Sequence, residues 1–531
     1  MTAPEVRGQI KPADDSPARR WLDIEPSGWA VITATGLLLA GFSIWAVTPA
    51  PPVGFYWDDT FYLLMAEWLS GRPEHRALIL HMLELRQYPP LFPLSLRAVG
   101  AGLEETQTAF IMNALFLALG IVVAMCWLLR QAWPKIGVIL AAILMIGNPV
   151  ALDWLASLFS EHQFILLTYT TLLLASTKDK SAGQWLVIGC LIGLAIATRS
   201  AGWALAVGML AHLSRARQFT GMKWTVTGVL FAVLLIPFLK AGLPPAKTYF
   251  SGLADHLHLI DASYVLAWIQ GLGTAWLNLW GSWPGAILAG ALVIPGLALR
   301  LARNDVDAWY VLVSLGMLFV WPFPDHLSRF IWVLLPAFLT AMHAVTSHLP
   351  VRLGWPAWII PALASIVLFS LPNGLLRSLE RMTTPPTGEF QALSRMPEWT
   401  RAEDRETGEQ TLAVRKAMLA DAAQIRQFTA DATCVYSELP MLVVAGALRP
   451  SLASPWNGLN DARPQDMECT YYYLIPLSLP GIQRQDIEDF GAQHEELFRS
   501  PWPGTAFPDW PLAVFYRLNP AGPRQPPDSA R

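Results

Sequence analysis

The sequence predicts an all-α polytopic membrane protein that carries a small α/β or α+β domain at its C-terminal end. Of the 531 residues, 53% are hydrophobic and only 15% are charged, so a single soluble core could not bury all the apolar side chains. Apolar runs of about the length that crosses a bilayer recur through residues 29–372. Residues 373–519 are more polar and contain short strand-like runs, which places the second domain there.

Composition also excludes several classes of function. The formal net charge of −3 leaves no basic surplus, so we expect no nucleic acid partner. Four cysteines are too few for a disulfide scaffold. They include no Cys-x-x-Cys pair, which argues against a structural zinc site. Membrane lipids are therefore expected to be the main surroundings of this chain.

The polar and cationic N-terminal segment, residues 1–28, is assigned to the cytoplasm. About eleven apolar runs follow, joined by short segments that carry lysines and arginines. With a cytoplasmic N-terminus all these cationic joints lie inside, as the positive-inside rule requires. Residues 185–213 are interpreted as two spans, because one span would move the later cationic joints outside. The predicted spans are Trp29–Val47, Phe110–Leu129, Ile136–Leu152, Phe164–Ser176, Trp185–Ala197, Gly202–Leu213, Trp224–Leu239, Trp283–Leu299, Trp309–Trp321, Ile331–Ala344 and Trp355–Leu371.

This topology leaves two long outer loops, residues 48–107 and 241–278, and an outer C-terminal domain. Within the second loop, Leu253, Leu257 and Ile260 share one helical face and predict an interfacial helix. The unusual polar residues gather in the outward segments, whereas the inward joints are little more than cationic turns. Chemistry is therefore expected on the outer face.

The C-terminal domain shows three strand-like runs and one helix start, and residues 520–531 after it are predicted to be disordered. Cys434 lies in one of the runs and Cys469 directly precedes another, and the two are candidates for a disulfide in an oxidising compartment, although pairing cannot be read from sequence. The strand-like runs are Thr433–Ser437, Thr470–Ile475 and Leu512–Leu518, and the helix start is Met441–Leu448.

Two adjacent carboxylates, Asp58 and Asp59, follow the first predicted span. One interpretation is that they cap the helix that begins near Thr60, since carboxylates accept hydrogen bonds from free N–H groups at a helix start. The other is that a carboxylate among aromatic residues at the membrane boundary takes a proton from an attacking hydroxyl. Both interpretations stay open at the level of sequence.

Several segments together resemble the GT-C class of membrane glycosyltransferases. Asp-Asp-x-x-Tyr after the first span and Tyr-Pro-Pro-Leu-Phe before the next apolar segment are similar to the first outer loop of one branch of that class. This branch includes protein O-mannosyltransferases and lipid A aminoarabinose transferases. Ser-Glu-His-Gln at residues 160–163 stands where the branch has its second acidic position, and segments 197–202 and 328–330 also resemble recurrent family segments. The likeness covers about residues 29–344, in pattern more than in identity.

The resemblance implies a GT-C-like fold and inverting transfer of a sugar from a polyprenyl-phosphate donor to a lipid, glycan or protein acceptor outside the cytoplasm. It implies that Asp58 is the catalytic carboxylate, Asp59 its helper or a cap, and Glu161 the second acid. The second acid of some relatives helps to hold a divalent metal, so Mg²⁺ or Mn²⁺ is a candidate cofactor, although no full ligand set is visible. Analogy with the family also favours a bacterial inner membrane and an undecaprenyl-like carrier.

A departing polyprenyl phosphate gains negative charge, so it needs cations more than it needs an acid. Arg199, Arg329 and Arg86 lie in the predicted outer segments and are candidates for this role. The competing interpretation is that arginines at helix ends reach toward the interface for structural reasons alone. Tyr88 belongs to the candidate donor site because this chain has Tyr-Pro-Pro-Leu where the aminoarabinose-transferase pattern is Lys-Pro-Pro-Leu. The lysine expected near the donor phosphate is therefore missing.

Four further polar residues are candidates for the site. Tyr62 belongs to the Asp-Asp-x-x-Tyr motif, and His162 follows the second acid. Asp325 and His326 form a polar cluster with the nearby Arg329, which a structural ion pair at the membrane boundary explains nearly as well.

Two other functions remain as alternatives. An envelope glycan polymerase or ligase would use a diphosphate-linked donor and a large outer loop instead of an acidic pair after the first span. A non-enzymatic transporter would carry ionisable residues near the middle of the membrane and broken spans in corresponding halves. The ionisable residues of this chain instead gather at one predicted face.

Overall fold

The structure is a computed structural model, and it shows a helical bundle followed by a small domain built on a sheet. It describes residues 24–71, 76–85, 88–155, 157–177, 179–240, 262–320, 326–353, 379–384, 386, 393, 396, 405–431, 433–453, 469–479, 482–503, 507 and 509–519.

Within the described ranges the helices of the bundle are numbered α1 to α16 in chain order. They are α1 Pro26–Ala46, α2 Trp57–Ser70, α3 Arg76–Leu85, α4 Leu91–Ala98, α5 Thr106–Arg130, α6 Lys135–Gly147, α7 Pro149–Leu155, α8 Glu161–Ala175, α9 Ala182–Thr198, α10 Gly202–Arg215, α11 Phe219–Leu239, α12 Ala262–Trp280, α13 Trp283–Ala302, α14 Val306–Phe319, α15 Leu327–Val333 and α16 Leu335–Leu353. Most of the longer helices of the bundle correspond to predicted apolar runs, whereas α2, α3, α4 and α12 fall in the segments predicted as outer loops.

The prediction of a polytopic, mostly helical membrane protein is confirmed. Four helices in the described part of the chain, α1, α5, α11 and α13, are long and apolar enough to cross a bilayer. The pair α15 and α16, bent by 57°, makes a fifth if it is one span, and α6, α9 and α14 are apolar but shorter. The number of about eleven spans stays a prediction, and the predicted span Trp355–Leu371 lies outside the described residues.

Residues 185–213 form two helices, α9 and α10, with a tight break at Arg199–Ala201. A capping box starts α9, in which Ser181 and Gln184 exchange side-chain and backbone hydrogen bonds. At the break a Cβ on Gly202 would lie 2.4 Å from the backbone nitrogen of Ile196. Only glycine allows this close return of the chain, which brings Arg199 to the end of the bundle.

The second half of the predicted outer loop 241–278 is helical, because residues 262–278 belong to helix α12, which is not among the candidate spans. Its assignment to the outer side stays a prediction. Polar residues and Gly271 and Gly273 mask the apolar face of this segment in the sequence. Its tryptophans account for the packing, since the Nε1–H of Trp268 donates to the carbonyl of Leu318 at 2.8 Å and that of Trp276 donates to the carbonyl of Ala286 at 2.8 Å. The predicted interfacial helix around Leu253 lies outside the described residues.

The C-terminal domain has a five-stranded sheet with the order β2-β1-β3-β5-β4. Strand β1 is parallel to β2 and β3, whereas β5 is antiparallel to β3 and β4. Cys434 and Cys469 precede β1 and β3 and are joined in a disulfide. The elements are α17 Arg405–Phe428, β1 Val435–Ser437, the short helix α18 Pro440–Leu442 with a π-helical turn Val443–Ala447, β2 Ser451–Ala453, β3 Tyr471–Leu474, α19 Arg484–Gln493, β4 Glu495–Pro501 and β5 Pro511–Arg517.

The mixed sheet confirms the predicted class of this domain, and its three predicted strands correspond to β1, β3 and β5. The sequence-based assignment missed β2, β4, α17 and α19. Strand β4 carries mostly exposed or half-buried residues, so it lacks the alternation of apolar and polar residues that identifies a strand.

The cationic joints lie together at one end of the bundle. Arg300 is buried and forms a bidentate pair with Asp307 at 2.7 and 2.9 Å, and it also donates to Gln131 at 3.2 Å. Close by, His212 near the end of α10 pairs with the backbone oxygen of Asn304 at 2.6 Å. Helix α10 starts beside Arg199 and ends near His212, so its 14 residues separate Arg199 from the cationic end of the bundle by about 20 Å. The cytoplasmic assignment of the cationic end stays a prediction.

Candidate functional site

Residues from five separate segments meet at the end of the bundle opposite the cationic joints. Asp58 lies in the first turn of α2, Tyr88 precedes α4, Glu161 begins α8, Arg199 follows α9 and Arg329 lies in α15. Four of them line a cavity of about 280 Å³, whereas Glu161 is buried beside it and contacts the two arginines. The cavity is lined by Asp58, Tyr62, Tyr88, Pro89, Thr198, Arg199, Ser200 and Arg329.

Asp58 is held by one cation and one hydroxyl group. Its Oδ2 accepts a hydrogen bond from Nη1 of Arg329 at 2.7 Å, and its Oδ1 accepts one from the Tyr88 hydroxyl at 2.5 Å. The N-cap of α2 is Tyr56, with no side-chain capping bond. Asp58 therefore does not act as a helix cap, and Tyr88 supplies a neutral donor to the carboxylate.

Glu161 is 2% exposed and lies between the two arginines of the site. Its Oε2 is 2.6 Å from Nη1 of Arg199, and its Oε1 is 3.1 Å from Nε of Arg329. Neither contact has hydrogen-bond geometry, so both carboxylate oxygens lack a hydrogen-bond partner in the described part of the chain. Buried polar atoms of native proteins are rarely left without a partner, so the ion pairs with Arg199 and Arg329 are the contacts that compensate the burial of Glu161.

Ser160 belongs to the site, although the sequence did not single it out. Its Oγ accepts a hydrogen bond from Nη1 of Arg199 at 3.1 Å and pairs with the hydroxyl of Tyr62 at 2.8 Å. The signal that could have identified it is its position directly before Glu161 in an outward turn. Ser160 thereby connects Tyr62 to Arg199.

Aromatic rings lie against both guanidinium groups. The guanidinium carbon of Arg329 is 4.8 Å from the ring centroid of Phe159 and 4.9 Å from that of Phe330, and that of Arg199 is 5.0 Å from Phe330. Such contacts favour arginine over lysine, because a planar cation stacks on a ring face. The rings also remove water from the cations and so strengthen their attraction for an anion.

The two adjacent aspartates differ in protonation. Helix α2 is not one of the candidate spans, and both aspartates are buried. Burial raises the pKa of Asp58, but Arg329, the Tyr88 hydroxyl and Arg199 outweigh it and lower that pKa from 3.8 to about 2. Burial raises the pKa of Asp59 from 3.8 to about 7, against the hydrogen bonds that Thr60 donates at 2.6 and 3.1 Å.

We expect Asp59→Asn to stabilise the protein increasingly as the pH rises from about 4 to about 7. The folded state binds the Asp59 proton more tightly than the unfolded chain does, so the free energy of unfolding falls across the interval between the two pKa values, 3.8 and about 7. Asparagine removes this loss. Unfolding temperatures of both proteins in detergent micelles, measured between pH 4 and pH 8, test this, and a difference that does not change with pH would contradict it.

The remaining predicted site residues divide into three groups. His162 is buried, with its ring 6.0 Å from that of Trp332, and it does not line the cavity. His326 is exposed at the N-cap of α15, also outside the cavity lining. Arg86 and Asp325 lie outside the described residues.

The described residues do not provide a metal site. Among them, no group of three or more His, Cys, Asp or Glu side chains could hold an ion. Asp58 and Glu161 each face a guanidinium that would repel a cation. The suggested Mg²⁺ or Mn²⁺ stays a prediction, and no step proposed below uses it.

A second, larger cavity adjoins the first one. It measures about 580 Å³ and shares Arg199 and Ser200 with the polar cavity. Most of its lining is apolar and comes from α8, α10, α14, α15 and α16. The lining residues are Phe164, Arg199, Ser200, Ala201, Ala204, Tyr310, Ser314, Met317, Leu318, Phe330, Val333 and Leu334.

The helical bundle, the acidic pair after its first helix and the small mixed-sheet domain define a polytopic membrane protein with a GT-C-like fold. The chain is similar in structure to ArnT from Cupriavidus metallidurans in the apo state, with a TM-score of 0.50 and 13% identity over 94% of this chain and 99% of that one. ArnT from the same organism bound to undecaprenyl phosphate aligns with a TM-score of 0.48 and 16% identity, over 94% of this chain and 100% of that one. At these identities the likeness is one of fold. No protein-family model and no curated protein matches the chain.

Proposed function

We propose that this protein is an inverting glycosyltransferase that moves a sugar from a polyprenyl-phosphate donor to a lipid, glycan or protein acceptor on the outer side of the membrane. The observation that carries the proposal is the cluster of two carboxylates and two arginines at one small cavity, which Asp58, Arg199 and Arg329 line while Glu161 is buried against the two arginines. These four residues, Asp58, Glu161, Arg199 and Arg329, come from distant parts of the chain, and three ion pairs join them. Transfer from a phosphate needs both anion-binding cations and a carboxylate within reach.

The arginines are suited to hold the phosphate of the donor. Each pairs with a carboxylate in this structure, and a phosphate that binds Arg199 and Arg329 would weaken those pairs. The pKa of Asp58 would then rise from about 2, because the positive charge of Arg329, which lowers that pKa in this structure, would be shared with the ligand. Donor binding would thereby make Asp58 a better base for an acceptor hydroxyl.

The second cavity supplies an apolar environment directly beside the candidate phosphate site. Because Arg199 and Ser200 belong to both cavities, a ligand with a phosphate at Arg199 could place its hydrocarbon chain against Met317, Leu318 and Val333. This arrangement of one charged cavity and one apolar cavity fits an amphipathic lipid phosphate better than a soluble sugar nucleotide.

The proposed reaction is a single displacement at the anomeric carbon of the donor sugar. The acceptor hydroxyl attacks the anomeric carbon, the bond from that carbon to the phosphate oxygen breaks, and the sugar is transferred with inversion. The polyprenyl phosphate leaves with the electron pair, its charge held by Arg199 and Arg329. Asp58 takes the proton of the attacking hydroxyl, while Glu161 pairs with both arginines and orients them.

Envelope lipids and glycans of a strain that lacks the gene test the proposal by mass spectrometry. We expect the mass of one sugar to disappear from one envelope component and to return with the wild-type gene. Binding of undecaprenyl phosphate and of undecaprenol to the purified full-length protein, measured by native mass spectrometry, provides an independent test. Retention of the phosphate over the alcohol supports the proposal, whereas equal retention of both, or an unchanged envelope, would contradict it.

A further inference from the structure

The C-terminal domain contacts the chain immediately before the acidic pair. Gly54 is buried with φ +104°, a backbone conformation that side chains rarely adopt. A Cβ at this position would lie 3.0 Å from both the backbone oxygen of Met441 and the Cβ of Ala445, and 3.1 Å from the Cα of Leu442. The backbone at Gly54 therefore packs directly on the C-terminal domain, only four residues before Asp58.

The next residue, Phe55, inserts its ring into the C-terminal domain. The ring packs against the apolar core that α17 shares with the sheet and against the smaller cluster around Leu412. The guanidinium carbon of Arg415, on α17, lies 4.5 Å from the centroid of the ring. Phe55 is thus an aromatic anchor between the outer loop and α17.

The segment Met441–Leu448 joins the cores of the two parts of the molecule. Met441, Val444 and Leu448 are buried in the core of the helical bundle. Leu442, Val443 and Ala447 are buried in the core of the C-terminal domain. The segment that receives Gly54 is therefore buried on both sides, in the core of the bundle and in the core of the C-terminal domain.

The chain between the anchor and the acid is itself restrained. Tyr56 packs edge-on against Phe159 at 6.2 Å between ring centroids, and Phe159 in turn lies beneath Arg329. The backbone N–H of Gly54 also interacts with the Asp59 carboxylate. Movement at residues 54 and 55 would therefore be transmitted to both aspartates.

We propose that the C-terminal domain positions the catalytic carboxylate, with Gly54 and Phe55 as positioning residues that hold the start of α2 in register with Arg329. The domain thereby contributes to the turnover step without touching the donor. This inference rests on the proposed transferase function, and its tests separate the two.

The key variant is Phe55→Ala in the full-length protein, with Phe55→Tyr as the conservative variant. Phe428→Ala is the control, because Phe428 is an aromatic residue of the C-terminal domain at the end of α17 and is 44% exposed. We expect Phe55→Ala to lower kcat by about tenfold to hundredfold, the size of effect that a displacement of about 1 Å produces, with a nearly unchanged KM for the donor. Phe55→Tyr and Phe428→Ala should remain near the wild-type kcat.

Hydrogen exchange of peptides that cover residues 54–62 gives a second readout that needs no turnover. We expect faster exchange in Phe55→Ala and in Arg415→Ala, and unchanged exchange in Phe428→Ala and in Arg405→Ala on the same helix. An unchanged kcat or unchanged exchange in Phe55→Ala would overturn the positioning role, as would an equal loss of kcat in Phe428→Ala. Absence of transfer by the wild-type protein would instead overturn the proposed function, and the exchange data would still decide whether the domain orders the acidic segment.

Discussion

Replacement of Asp58 by asparagine is expected to reduce sugar transfer by about 10²–10⁴-fold, the range that a positioned proton acceptor contributes. Asparagine has nearly the same shape and its oxygen can still accept the hydrogen bond from Tyr88, so the cavity should persist. It cannot take a proton, and it carries no charge to orient Arg329. The loss should therefore appear in kcat, with normal insertion and expression.

Asp59→Asn is the comparison for this variant, because Asp59 is adjacent, equally acidic in sequence and directed to Thr60 instead of the cavity. Rates of both variants with one donor and one acceptor, measured at several pH values, give the contrast. We expect a clearly smaller loss for Asp59→Asn. The reverse order, with Asp58→Asn the more active of the two, would remove Asp58 from the proposed reaction.

Replacement of Arg329 by alanine is expected to have the second large effect, on both stability and donor binding. Arg329 is 7% exposed and lies within 3.1 Å of both Asp58 and Glu161. Its removal leaves two buried carboxylates with one cation, and loss of one partner of a buried ion pair costs about 3–5 kcal/mol. Binding of undecaprenyl phosphate should fall strongly, because one of the two cations at the proposed phosphate site is lost.

A matched control separates the two effects. Arg300→Ala removes an arginine that is also 7% exposed and paired with an aspartate, but at the opposite end of the bundle. We expect Arg300→Ala to lower the unfolding temperature about as much as Arg329→Ala does. The folded Arg300→Ala protein should still bind undecaprenyl phosphate. Arg329→Lys should recover part of the stability and less of the binding, since lysine lacks the planar fork of arginine. Equal binding by Arg329→Ala and wild type would exclude Arg329 from the donor site.

The helices of the membrane part were the most predictable elements. Apolar runs mark them because a bilayer-spanning or buried helix must be apolar over most of its length. The exception is α12, where glycines, polar residues and tryptophans obscure the pattern. The tryptophans can pack between helices because backbone carbonyls of neighbouring helices accept hydrogen bonds from their N–H groups. Those carbonyls belong to other segments of the chain, so the local sequence of α12 does not show them.

The candidate site was predictable in part. Asp58, Glu161, Arg199 and Arg329 were selected from motifs and from a shared membrane side, and they form one ion-paired cluster. Tyr88 lines the same cavity and its hydroxyl donates to Asp58, a contact that the sequence did not predict, and its role at the donor phosphate stays a prediction. Ser160 and the aromatic rings beneath the guanidinium groups were not selected, because a hydroxyl or a phenyl ring carries no signature of its own without knowledge of its neighbours.

The membrane class and the order of polar segments between apolar ones follow from the sequence, because solvation by lipid is a property of each short segment. Which charges pair does not follow from it, since Asp58 and Arg329 are 271 positions apart and meet only through the packing of α2 against the helices between them. The contact of Gly54 with Met441 and Ala445 is of the same kind. It depends on how two cores fit together, and no local propensity of either segment encodes that fit.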